Sequence, residues 1–310
     1  MDDRVAPPDD RSVSVVVATR ERPELLRRAL AAIEAQVHDA PVEVIVVFDR
    51  SVPDRSLERD GDGRRVVVIT NDHVPGLAGA RNAGIERASN TWVAFCDDDD
   101  EWLAGKLAAQ FAALAATPGA RAACTGILVR YDGVDTARIP DPTLVTYEGF
   151  LEDRMTEVHP SSWLVARADL VDHIGPVDES LPGSYAEDYD LFLRTAAHCP
   201  IAVAPQPLVR VWWHGASFFF ERWKTIDDAL GHLVAKYPDL ARHPRGLARI
   251  EGQRAVAQAA MGQRRRALGT LRRVIALNPG EKRVPVALLV VAGIPAGKLL
   301  RLAHRLGRGF

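Results

Sequence analysis

The chain has 310 residues, 47% hydrophobic and 26% charged, with a net charge of −2. These figures fit a soluble globular protein with a sizeable core, forming one large domain or one domain plus a smaller one. Cys96, Cys124 and Cys199 lack metal-ligand spacing, which argues against a zinc site, and few unpaired cysteines fit a reducing compartment. The start, MDDRVAPPDD, is acidic and Pro-rich, unlike a secretory signal, and no apolar run reaches the ~20 residues of a membrane span. The expectation is a cytoplasmic protein. The charge is uneven: residues 242–310 carry 15 Lys and Arg against 2 Asp and Glu, so an acidic body precedes a basic tail.

Residues 1–10 read as a disordered lead. Residues 13–18 form a near-continuous β-branched run, as in a strand buried on both faces. After Pro23, Leu26, Leu30, Ile33 and Val37 recur at helical spacing. Further strands are expected at 42–48, 65–70 and 92–96, with a helix over 78–88. Strands alternating with helices predict a doubly wound, mostly parallel α/β sheet with ligands at one edge, where Thr19, Asp49 and Asp97 end their strands. From residue 121 the pattern is mixed: short strands at 123–130, 162–166, 201–203 and 208–213, and a helix over 189–197. Beyond residue 221 the chain reads as helical. Residues 246–279 are similar in spacing to one tetratricopeptide unit, a pattern that an ordinary helical hairpin also satisfies.

Asp97-Asp98-Asp99-Asp100 follows an apolar strand directly. Adjacent carboxylates repel one another unless solvent or a cation compensates, and hard oxygen donors suit Mg²⁺ or Mn²⁺ beside substrate phosphates. The competing reading is an acidic turn capping a helix that starts near Trp102.

Taken in order, the motifs resemble the inverting family 2 glycosyltransferases of GT-A fold. They are Val15 through Leu26, Val44 through Ser51, Gly76 through Ile85, Phe95 through Leu103, Ala186-Glu187-Asp188-Tyr189-Asp190-Leu191, and Arg210 through Ser217. The resemblance covers residues 13–217. It implies a Rossmann-like, mostly parallel sheet with flanking helices over 11–220, while the helical pattern and basic charge beyond it read as an accessory region over 221–310. It implies a nucleotide-sugar donor, a Mn²⁺ or Mg²⁺ ion, and an acceptor that is a glycan, a lipid-linked sugar or a small molecule, as in cell-surface glycan, glycolipid or secondary-metabolite synthesis.

The resemblance also distributes roles. Asp99, Asp97 and His214 would hold the metal, with Asp97 nearer the ribose. Thr19, Arg22, Asp49, Arg81, Asp97 and Asp98 would meet the donor. Asp188 would be the general base that inversion needs, with Glu187 as the second candidate. Each has a plainer alternative. His214 could be a half-buried strand residue. Arg81 could be an ion-pair partner of the Asp block, and Glu187 and Asp188 could favour a helix N-terminus. Phe48-Asp49-Arg50-Ser51 departs from the family's Asp-Asp-Gly-Ser turn, which leaves the base open. It is also the one hint of a catalytically silent nucleotide-sugar-binding or scaffold protein. A nucleotidyltransferase would want a Gly-rich, Lys-bearing phosphate loop, which is missing after the first strand.

Trp212, Trp213, Phe218, Phe219, Phe220 and Trp223 could form a sugar platform or pack as core. The apolar run 284–296, flanked by Lys282, Arg283, Lys298, Arg301, Arg305 and Arg308, is too short to span a bilayer. Residues 282–308 could instead lie on the inner face of the plasma membrane, or form a buried helix with a solvated basic face. No nucleic-acid motif accompanies the charge.

Overall fold

The computed structural model describes residues 8–61, 63–213 and 222–299. The chain divides into two compact units. The first is Met1–Tyr147, Met155–Glu179 and Glu187–Trp213, and the second is Glu148–Arg154, Ser180–Ala186 and His214–Phe310.

The first unit is an α/β layer structure. Its strands are β1 (Val13–Thr19), β2 (Val42–Phe48), β3 (Arg59–Gly61), β4 (Arg64–Thr70), β5 (Trp92–Phe95), β6 (Glu101–Trp102), β7 (Ala122–Tyr131), β8 (Val134–Arg138), β9 (Leu164–Ala166) and β10 (Ile201–Trp212). They join one sheet in the order β3-β4-β2-β1-β5-β9-β7-β10-β6, with β8 beside β7. The long ladders β4-β2-β1-β5 and β7-β10 are parallel, and short antiparallel pairings link and flank them. Every residue of β2 and all but one of β1 are buried, as two-sided cover by helices requires. The parallel register puts the C-terminal ends of β2, β1 and β5 side by side. Those ends carry Asp49, Thr19 and the Asp block.

The helices of this unit are α1 (Pro23–Glu34), α2 (Leu77–Arg87), α3 (Lys106–Ala116) and α6 (Glu187–His198), with a single turn α5 at Arg167–Asp169; α4 (Tyr147–Glu152) crosses into the second unit. Pro23 starts α1, where its missing N–H costs nothing, and Leu26, Ala29, Leu30 and Ile33 face the sheet. The expected apolar face does not extend to Val37: α1 ends at Glu34, and Val37 is 83% exposed. Helix α2 is buried from Ala78 to Ile85, and its small residues allow that depth. A Cβ on Gly84 would run into both methyls of Val16. Gly84→Ala is therefore expected to lower stability by about 1–3 kcal/mol, the usual penalty of overpacking, as read from urea midpoints at unchanged m-value.

Two other expectations are revised, and one strand is new. Helix α3 begins at Lys106 behind Gly105, in the left-handed region at φ 80°, not near Trp102. The Asp block therefore does not cap it, and Glu101–Trp102 instead forms a two-residue strand. Segments 201–203 and 208–213 form one strand, β10, whose register slips around Pro207. Pro205 and Pro207 cannot donate to the ladder, so a bulge accommodates them. Strand β8 was not foreseen.

The second unit is helical: α7 (Trp223–Lys236), α8 (Pro244–Ala260), α9 (Arg264–Leu277) and α10 (Arg283–Val291). Gly262, at φ 76°, turns α8 into α9. Ala248, Ala255, Leu271, Val274, Val284 and Ala287 share a core against which Trp223 packs. Packing is thus what this structure gives Trp223, while Phe218, Phe219 and Phe220 lie outside the described residues.

Candidate active site

The turn after β5 gathers side chains from four parts of the chain. Thr19 Oγ1 donates to Asp98 Oδ2 at 2.7 Å, and Arg22 Nη1 reaches both Asp98 Oδ1 at 3.1 Å and Asp99 Oδ2 at 3.0 Å. Both oxygens of Asp98 thus face inward, tying the end of β1 to the Asp block. Arg28, from α1, donates to the Asp99 carbonyl at 3.2 Å and pairs with Glu101 at 2.7 Å. Asp100 Oδ2 accepts the Ser161 hydroxyl at 2.5 Å and lies 3.4 Å from His159 Nδ1. Ser161 Oγ in turn accepts the Asp97 N–H at 2.9 Å.

Arg81 is the centre of the arrangement. It is almost fully buried in α2, donates to Asp97 Oδ1 at 2.8 Å through Nη2, and pairs with Glu187 through Nη1. The ion-pair alternative for Arg81 is what this structure displays, with Glu187 as a second partner. Glu187, Asp188 and Asp190 all lie in the first turn of α6, where acids meet the positive end of the helix dipole. Asp188 is half-buried and accepts the Tyr189 N–H at 2.6 Å. Asp49 stands at the adjacent strand end, where its N–H reaches the Thr19 carbonyl at 3.0 Å. Its carboxylate accepts from Asn71 Nδ2, the Gly76 N–H and Arg50 Nε at 2.9, 3.0 and 3.1 Å. His214 lies outside the described residues.

The electrostatics follow from burial. Asp100 is pushed well above the ordinary carboxyl range by burial and then by Asp97 and Asp99. Asp99 rises through burial and then through Asp97 and Asp98, and Asp98 rises through burial despite Thr19 and Arg22. Asp97 moves the other way: burial opposes its charge, but Arg81, His159 and Arg22 outweigh that. Burial pushes Glu187 up to about 8 against the pull of Arg81, with Asp188 and Asp97 adding to the rise. Asp98, Asp99 and Asp100, raised by burial with their carboxylate neighbours adding to it, mark a site whose negative charge the local cations do not fully offset. One oxygen each of Asp97 and Asp100 and one nitrogen of His159 lie within 4.8 Å of one another. Two hard oxygens and an imidazole suit Mn²⁺ or Mg²⁺, so the residues present fit a divalent ion.

Beneath the turn lies Lys106, fully buried, with Nζ 2.9 Å from Gln110 Oε1 and 3.7 Å from the Trp102 ring centroid. Burial lowers it to about 7. Gln110 Nε2 donates to the Ser162 carbonyl at 2.8 Å, which supports the Ser161 turn from below. Lys106, Arg28, His159 and Ser161 carry no signal that singled them out in the sequence, and Asp100 stood out only as a member of the Asp block.

The profile of glycosyl transferase family 2 matches residues 14–166, the stretch that supplies β1, β5, the Asp block and Ser161. The chain belongs to this family over that segment. A relative is the UDP-Glc:alpha-D-GlcNAc-diphosphoundecaprenol beta-1,3-glucosyltransferase WfgD of Escherichia coli, 30% identical over 103 residues, or 33% of this chain and 40% of that protein. The chain spans less than half the length of the curated relatives it matches first, 40% and 32%. Among solved structures, S. aureus TarS 1-349 in complex with UDP-GlcNAc superposes with a TM-score of 0.62 at 18% identity, covering 96% of this chain and 93% of that one. The mannosyltransferase PcManGT of Pyrobaculum calidifontis, in complex with GDP-Man and Mn²⁺, gives 0.52 at 16% identity, covering 97% and 88%. Those likenesses establish that the family 2 domain has the GT-A fold.

Proposed function

We infer that this chain transfers a sugar, with inversion, from a nucleotide-sugar donor to an acceptor hydroxyl, with the help of a divalent ion. The observation that carries this reading is Arg81, whose buried guanidinium grips Asp97 on the donor side and Glu187, neighbour of Asp188, on the acceptor side. Thr19, Arg22 and Asp49 line the strand ends where the nucleotide would sit, and Asp98 contributes by holding Thr19 and Arg22 in place. Asp97 and Asp99 would hold Mn²⁺ or Mg²⁺, with Asp100, His159 and His214 as further donors. A divalent ion there would offset the charge that grows on the leaving diphosphate. Glu187 is enclosed and paired with Arg81. Asp188 is partly open to solvent and stands on the same rigid helix start, which favours Asp188 as the base that takes the acceptor proton.

The likeness to WfgD favours a lipid-linked sugar as acceptor and a peripheral position at the inner membrane face. Among the described residues, no helix is long and apolar enough to cross a membrane. The neighbours' UDP and GDP donors leave the base to experiment. Calorimetric titration with UDP, GDP and dTDP, with and without Mn²⁺, is expected to show metal-dependent binding of one nucleotide, weakened at least about tenfold in Asp99→Asn. Binding of none would move the chain to the silent-scaffold reading.

A further inference from the structure

We propose that the outer face of α9 and α10 is a docking surface for anionic phospholipid. The inference deepens the lipid-linked reading above by naming the surface and its ligand, and it rests on the second unit alone. Helix α10 turns Val284, Ala287 and Val290 inward, which leaves Leu288 and Leu289 at 46% and 42% exposure. Ile294 just beyond it is also exposed. Helix α9 buries Ala267, Thr270, Leu271 and Val274, so Leu268 and Ile275 face solvent. Large aliphatic side chains in that number on two packed helices are an apolar face that no described residue covers.

The charge around this face identifies what covers it. Residues 264–299 hold eight Lys and Arg and a single acid, Glu281. That acid is buried and taken up by Arg283 at 2.7 Å. Arg273 and Arg266, though exposed, are paired with the buried Glu251 and Asp227. Arg264, Arg265, Arg272, Lys282 and Lys298 are exposed and have no ion-pair partner among the described residues. Among the described residues, the outer surface of these helices is therefore aliphatic and cationic without a compensating acid. A protein partner would pair those cations with carboxylates at defined positions. A bilayer interface instead takes aliphatic side chains into the acyl boundary and guanidinium and ammonium groups among its phosphates, with no demand on register. The apolar run in α10 is too short to span, so the helix would lie in the plane of the interface.

Vesicle co-flotation of the full chain tests this. Wild type is expected to float with phosphatidylcholine vesicles containing phosphatidylglycerol, to stay behind with pure phosphatidylcholine, and to release at high salt. Leu288→Asp/Leu289→Asp and Arg272→Glu/Lys282→Glu are each expected to weaken flotation at least about tenfold, at unchanged melting temperature. The second pair alters only exposed charges, so it keeps the test valid if the first fails to fold. Absence of wild-type flotation, or flotation unchanged in the charge variant, would overturn the proposal. A wild-type dimer in sedimentation velocity that Leu288→Asp/Leu289→Asp makes monomeric would also overturn it, by assigning the face to a second copy. Nucleotide binding by the same variants is expected to match wild type. Flotation without nucleotide binding would therefore sink the transferase reading and leave this one standing.

Discussion

Asp188→Asn is expected to slow sugar transfer about 10²–10⁴-fold, the range that loss of a general base produces, while nucleotide affinity stays within about threefold of wild type. The asymmetry follows from where Asp188 sits. It belongs to the first turn of α6, outside the Thr19–Asp98–Arg22 network, which an amide at 188 leaves intact. The substitution is nearly isosteric, and the amide oxygen can still accept the Tyr189 N–H that Asp188 accepts now. What is lost is the negative charge, and with it the capacity to take a proton. Glu187→Gln is the control: it keeps an acceptor for Arg81 and should lower transfer by a smaller factor. The measurement is single-turnover transfer at saturating donor, with donor affinity taken separately by calorimetry. If Asp188→Asn kept transfer within about tenfold while Glu187→Gln abolished it, the base would be Glu187, and Arg81 would then tune a catalytic base instead of clamping a structural carboxylate.

The parallel half of the sheet was legible because buried parallel strands announce themselves as continuous apolar runs: 13–18, 42–48, 65–70 and 92–96 each became a strand. The elements that escaped have no such run. Every position of β8 is exposed or half-exposed, so Val134–Arg138 shows no apolar alternation, and its pairing comes from the hairpin with β7. Strand β6 has two residues and exists only because β10 lies beside it. Val37 continues the α1 period in the sequence, but α1 ends at Glu34 and leaves Val37 exposed.

The candidate site divides in the same way. Residues carried by a contiguous motif (the Asp block, Glu187-Asp188, Arg81) could be singled out from sequence. His159 and Ser161 could not, since they sit some 60 residues from the Asp block in a segment without periodicity, and only the β5-β9 pairing brings them back to it. The available signal was the polar stretch His159-Pro160-Ser161-Ser162 abutting Trp163 and a buried strand. Lys106 escaped for another reason: a lysine at a helix start reads as solvated, and its full burial depends on Trp102 and Gln110 closing over it.

Arg81→Met is expected to be the most destabilising single change at the site, by about 3–5 kcal/mol, the range for removing one partner of a buried ion pair. Methionine fills much of the space, so the loss is chiefly electrostatic. It strands Glu187, which is enclosed, and releases Asp97, which is partly exposed. The two carboxyls respond differently. Asp97 can be solvated or take up a cation. Glu187, already raised to about 8 with Arg81 present, would rise further and keep its proton. The sign of the pH dependence follows. A carboxyl whose folded pKa lies above its unfolded one loses its stabilising contribution as pH rises toward the folded value. In wild type that loss is complete near pH 8. In Arg81→Met it continues upward, so the gap between the two chains should widen between neutral pH and the alkaline side of 8. Urea denaturation of both chains on either side of that value reads the effect directly. Glu187→Gln introduced into Arg81→Met should recover part of the loss and flatten its pH dependence, because a neutral amide leaves no buried charge to strand. A penalty that neither grew with pH nor shrank in the double variant would mean that Arg81 stabilises α2 by packing alone. The coupling it is proposed to make between the Asp block and α6 would then be absent.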